Sequence, residues 1–145
     1  MKYISTLFVV IALLAVGTVN AQTASKLNGQ SYTYVMKDIN GMGPEIVDQI
    51  TFGVGQVTSR ELGKTGFSKG TVSEKNTGAS STFELKFTSP SKGTYLYTGT
   101  ASGPTIDGTI AVTTAQGTTT MAFRGMLTEE WENIQKEKEA ARQKK

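Results

Sequence analysis

From Gln30 to Leu127 the chain is built of short runs in which apolar and polar residues alternate, each closed by turn residues. Alternation at period two marks a strand with one buried face. Gln30 to Lys37 puts Tyr32, Tyr34 and Met36 on one side, and Asp48 to Val54 puts Asp48, Ile50, Phe52 and Val54 together. Gln56 to Arg60 and Lys69 to Glu74 follow the same rule more loosely. The clearest run is Ser81 to Thr88, with Phe83, Leu85 and Phe87 on one side and Thr82, Glu84, Lys86 and Thr88 on the other. Gly93 to Ala101 aligns Tyr95 and Tyr97. Thr105 to Thr114 aligns Ile106, Ile110 and Val112, and Thr118 to Leu127 aligns Met121, Phe123 and Leu127.

These eight runs predict eight strands. Their connections hold all three prolines, where a missing N–H does no harm to a ladder. No run has the length or period of a crossover helix, so consecutive strands are expected to pair antiparallel. Closure removes the exposed edges that a flat sheet would leave. The expected fold class is therefore all-β, an eight-stranded antiparallel up-and-down barrel, with a two-sheet sandwich as the other arrangement. Gly99, Gly108 and Gly125 fall inside strand patterns and are expected to be bends or bulges of the curled sheet. Leu62 to Gly66 is expected to be a connection.

After Leu127 the composition changes to Glu, Lys, Gln and Ala, with no Gly or Pro, and predicts a C-terminal α-helix over residues 128–145. Thr128 is the expected N-cap, Glu129 and Glu130 suit the first turn, and Arg142 and Lys144 suit the last. Leu127, Trp131 and Ile134 form an apolar stripe for docking, which runs on into Lys138. Glu132 and Lys136 have the spacing of a helical ion pair.

The front of the chain has a different character. Lys2, the apolar run Ile4 to Val16 and Val19-Asn20-Ala21 have the order of an export signal cleaved after Ala21. The run of 13 residues is short of the ~20 that cross a bilayer as a helix. The expected organisation is a signal peptide at 1–21, a polar leader at 22–29, the barrel at 30–127 and the charged helix at 128–145, exported to the periplasm or the outside.

Composition narrows the chemistry. There is no cysteine and no histidine, so thiol and imidazole catalysis and the usual zinc, copper, haem and iron–sulfur ligands are missing from the sequence. No enzyme activity, metal or cofactor is expected. A net charge of +3, from 15 basic and 12 acidic residues, is too mild to predict a nucleic-acid partner. The polar side of Ser81 to Thr88 argues against lipid as the outer solvent of the barrel.

Several segments invite functional interpretation. Asp38-Ile39-Asn40-Gly41-Met42-Gly43 opens like a calcium loop, but Met42 stands where an oxygen ligand belongs and Gln49 where the bidentate Glu belongs, so a turn is expected. The glycine pairs at Gly41-Met42-Gly43 and Gly53-Val54-Gly55 lack the Lys-Ser/Thr and the helix of a phosphate loop. The candidate ligand-binding residues are Tyr32, Tyr34, Tyr95 and Tyr97, two same-face pairs that either line a pocket or pack a core. Arg124 joins them as the one cation in the last strand, placed to stack on a tyrosine of the first strand.

Asp48-x-Ile50-x-Phe52, Gly66-Phe67, Ile106-x-Gly108-Thr109 and Phe123-x-Gly125-x-Leu127 resemble phrases of small exported bacterial β-barrel proteins of lipocalin-like, or calycin-like, type. Lipocalins proper carry a Gly-x-Trp near the first strand. Here Gly29-Gln30-Ser31 has no Trp, although Arg124 sits suitably in the last strand. The tryptophans that surround biotin in avidin-type relatives are likewise missing from the body. The resemblance implies a barrel for a small hydrophobic or amphipathic ligand. The alternative expectation is a filled barrel that serves as a protein-interaction or structural module of the cell envelope.

Overall fold

A computed structural model describes residues 25–144. The expected export signal lies outside the described residues. Eight strands follow in order: β1 (Ser31–Asp38), β2 (Ile46–Gly53), β3 (Gln56–Ser59), β4 (Gly70–Thr77), β5 (Ser80–Ser89), β6 (Gly93–Ser102), β7 (Thr105–Thr114) and β8 (Gly117–Leu127). Each pairs antiparallel with the next and β8 returns to β1, which closes the barrel. A short helix α1 (Arg60–Lys64) lies between β3 and β4, and α2 (Thr128–Gln143) follows β8.

The period-two pattern sets what lies inside. Tyr32, Tyr34, Ile50, Phe52, Phe83, Leu85, Phe87, Tyr97, Ile106, Ile110 and Phe123 are all buried, while Thr82, Glu84, Lys86 and Thr88 of β5 face solvent. Burial of such aliphatic and aromatic side chains contributes about 1.5–3 kcal/mol each, and this is the main force holding the sheet closed. Val54 departs from the expected inward set. It is 83% exposed in the β2–β3 turn, because β2 ends at Gly53 and the alternation stops with it.

Gly99, Gly108 and Gly125 are not bulges, since the ladders run through all three without a skipped residue. They make room instead. A Cβ on Gly99 would stand 2.8 Å from the Cζ atoms of both Phe83 and Phe123, and one on Gly125 would stand 2.5 Å from Tyr34 Cβ. Aromatic side chains thus occupy the space that these glycines leave, as close packing requires.

The β3–β4 ladder has two residue pairs, Gln56 with Thr71 and Val57 with Gly70. The connection around this short seam is the one expected as a plain link, and it contains α1. The Ser59 hydroxyl caps α1 by accepting from the Leu62 N–H at 3.0 Å, and Leu62 and Phe67 are buried at that end of the barrel. At the opposite end the leader turns back over the opening. Gly29 N–H donates to the Phe52 carbonyl at 2.8 Å, and Leu27 is buried to 2% exposure.

Helix α2 starts at the expected place but is capped differently. Leu127 occupies the cap position without a side-chain bond, and the Thr128 hydroxyl lies 3.1 Å from that of Thr33 on the outer wall. No residue of α2 is buried, and Trp131 is half-buried. The pair expected between Glu132 and Lys136 is not among the ion pairs of the described residues, which join Lys37 to Glu45 and both Arg60 and Lys64 to Glu61. Among the described residues no helix is long and apolar enough to cross a membrane.

Candidate functional site

The polar centre of the barrel is built on Asp48. Its place in β2 between outward residues, in phase with Ile50 and Phe52, sends its carboxylate inward with them. Directly across the ladder stands Tyr34, whose hydroxyl donates to Asp48 Oδ2 at 2.7 Å. The Ser59 hydroxyl donates to the same oxygen at 2.6 Å. Oδ1 accepts from the backbone N–H of Glu61 at 2.9 Å and of Gln49 at 2.6 Å. Ser59 therefore both caps α1 and donates to Asp48, linking the seam helix to the barrel centre. Among the described residues no lysine or arginine forms an ion pair with Asp48. Its charge is met by four donors instead, which is how a buried carboxylate avoids a large desolvation cost.

Tyr97 completes the group from β6. Its hydroxyl is 3.0 Å from that of Tyr34. Since the single Tyr34 proton is committed to Asp48, Tyr97 is the donor in that pair. Burial pushes both phenols well above their ordinary range, with the charge of Asp48 adding to the effect, so both remain protonated donors. Around them the rings form a continuous column. Tyr32 meets Phe52 at 6.0 Å, Phe52 meets Phe83 at 5.7 Å, Phe83 meets Phe123 at 6.3 Å, and Phe123 meets Tyr34 at 5.5 Å and Tyr97 at 5.8 Å. Tyr97 then meets Phe87 at 5.8 Å. An eight-stranded barrel is just wide enough to be filled this way or to hold one small ligand. Here aromatic side chains occupy its centre.

The four tyrosines singled out in the sequence are all on inward positions, but they do not form one cluster. Tyr34 and Tyr97 meet at the centre. Tyr32 stands towards the leader end, and Tyr95 packs edge-on against Phe67 at 5.2 Å towards the α1 end. Arg124 belongs to the other face. It sits between inward Phe123 and Gly125, pairs with Val35 on β1 and Asp107 on β7, and is exposed. Stacking on Tyr32 or Tyr34 is thereby excluded, since both point to the opposite side of the wall. Arg124 instead borders a cleft of about 590 Å3 with Val35, Met126 and Trp131, between α2 and the strands.

Asp48 and Ser59 are the central residues that sequence reasoning passed over. The signal for Asp48 was a carboxylate in phase with Ile50 and Phe52. For Ser59 it was a hydroxyl three residues before Leu62. At Asp38 the carboxylate accepts from the Asn40 N–H at 2.8 Å, and the Gly41 N–H reaches the Asp38 carbonyl at 2.8 Å, so the segment with a calcium-loop opening forms a turn. No group of three or more acidic residues able to hold a metal occurs among the described residues. No family model, curated protein or solved structure matches this chain.

Proposed function

We propose that this protein is an exported, non-enzymatic module whose filled barrel is a rigid scaffold and which meets its partner through the outer wall. The observation that carries this reading is the contact between the Tyr34 and Tyr97 hydroxyls, 3.0 Å apart at the barrel centre. The space that a ligand of lipocalin-like barrels would use is taken by these two rings and by Phe123. Opening it would break the Tyr34–Asp48 bond and leave a buried carboxylate short of a donor. In this reading the build is lipocalin-like and the calyx is solid. The polar wall, with Thr82, Glu84, Lys86 and Thr88 exposed along β5, supports water rather than lipid as the outer solvent.

Native mass spectrometry of the chain as exported, with and without excess palmitate, tests the proposal. The expected result is the bare protein mass in both samples. A one-to-one palmitate complex that also moves the Tyr34 and Tyr97 resonances would show that the interior opens, and would overturn it.

A further inference from the structure

At the leader end, Lys26, Leu27, Tyr32, Ser81, Ala101 and Leu127 border a cavity of about 230 Å3. Tyr32 is only 3% exposed, and its ring is held edge-on by Phe52. Its hydroxyl nevertheless has no hydrogen-bond partner among the described residues, whereas every fully buried side-chain nitrogen or oxygen there is paired. The hydroxyl therefore keeps some access to solvent, and its residue lines this cavity. Packing alone would be served equally well by phenylalanine, as it is at Phe52, Phe83 and Phe123.

We propose that this cavity is a binding site for a compact neutral molecule with a hydrogen-bond-accepting head and a short apolar tail, of the short-chain amide class, and that Lys26 and Leu27 form its lid. The Tyr32 hydroxyl donates to the head, and Leu27, Ala101 and Leu127 contact the tail. Burial, and after it the charge of Glu74, push the Tyr32 phenol above its ordinary value of 10.0, which keeps it a donor. The same negative charge opposes a carboxylate head, and the Lys26 ammonium that also borders the cavity is engaged by the Gly78 carbonyl.

The lid is tied down by side-chain bonds separate from the barrel ladders. The Ser25 hydroxyl and the Lys26 N–H donate to the Glu74 carboxylate, and the Lys26 ammonium donates to the Gly78 carbonyl. These can break while every strand pair stays intact. The site goes beyond the proposed scaffold role and lies at the leader end, apart from the Tyr34–Tyr97 contact, so either proposal can fail without the other.

Titration of the 15N-labelled exported chain with butanamide, and separately with butyrate, tests the site. Saturable shifts confined to the amides around Leu27, Tyr32, Ser81, Ala101 and Leu127 are expected with butanamide. Tyr32→Phe removes only an unpartnered hydroxyl, so the variant folds, and its affinity is expected to fall between about twofold and tenfold. Slower hydrogen exchange at Lys26 and Leu27 on saturation is expected of a lid. Absence of saturable shifts, or equal affinity in Tyr32→Phe, overturns the site. Equal binding of butyrate overturns the neutral head, and unchanged exchange at Lys26 and Leu27 overturns the lid.

Discussion

Tyr34 and Asp48 face each other across the β1–β2 ladder, and the phenol donates to the buried carboxylate at 2.7 Å. The pair depends on the register of the first two strands, since a slip of one residue would send the phenol to the outer face. It also separates tyrosines that look alike in sequence. Tyr34→Phe takes a donor from Asp48 and is expected to cost about 1–3 kcal/mol, whereas Tyr32→Phe removes an unpartnered hydroxyl and is expected to stay within about 0.5 kcal/mol of the parent. Urea denaturation of the two variants measures the difference. Equal losses would show that the Asp48 bond contributes nothing particular.

The strands were legible because alternation needs no knowledge of partners. Phe83, Leu85 and Phe87 announce the inner face of β5 whatever lies beside it. The pairing of Tyr34 with Asp48 was not legible, because it depends on how the turn at residues 39–45 sets register. The same alternation that made Tyr34 inward placed Arg124 outward, so its separation from the tyrosines was readable once strand parity was taken strictly. Helix α1 is too short to show a period and contains Gly63. Leu27 looked like part of a polar leader, and its burial comes from the barrel opening that it covers.

Gly125 and Gly63 make opposite predictions for the same substitution. A Cβ on Gly125 would lie 2.4 Å from the Thr33 carbonyl oxygen and 2.5 Å from Tyr34 Cβ, and backbone cannot yield cheaply. Gly125→Ala is expected to cost about 1–3 kcal/mol or more by overpacking. Gly63 lies in α1 without a positive φ, and no neighbouring atom comes within 4 Å of where its Cβ would stand. Gly63→Ala is expected to be neutral or to stabilise by up to about 1 kcal/mol through helix propensity and a less flexible unfolded chain. Thermal melts of both variants decide the matter, and a destabilised Gly63→Ala would contradict the open surroundings of that site.

Glu74 makes the leader pH-dependent. Burial alone would raise its carboxyl, but hydrogen bonds from the Ser25 hydroxyl and from the Lys26 and Leu27 amides outweigh it and hold the group below its ordinary value of 4.5. A carboxyl lowered in the folded state contributes stability that is fully present above its unfolded value. That contribution is lost as pH falls through the folded value. Hydrogen exchange at the Lys26 amide, corrected for its intrinsic pH dependence, should therefore lose protection as pH drops below about 4.5. Glu74→Gln should remove this dependence. Protection that persists in the parent well below that range would refute the latch.

Trp131 reports on how firmly α2 is held. The helix has no buried residue, and its contacts with the wall are concentrated near its start, where the Thr128 hydroxyl meets Thr33 and Trp131 is half-buried. Residues beyond Gln135 are exposed, so a chain ending at Gln135 is expected to keep its stability within about 0.5 kcal/mol and its Trp131 emission unchanged. A chain ending at Leu127 uncovers Thr33, which is 6% exposed beneath the helix start, together with the wall around Val35 and Met126. That truncation is expected to cost about 1–2 kcal/mol through lost burial. Urea titration of both truncations, followed by tyrosine fluorescence so that the loss of Trp131 does not remove the signal, distinguishes a docked first turn from a helix held along its length. If the Gln135 truncation loses as much as the Leu127 one, the distal turns hold the helix, and the assignment of its anchor to Thr128 and Trp131 is wrong.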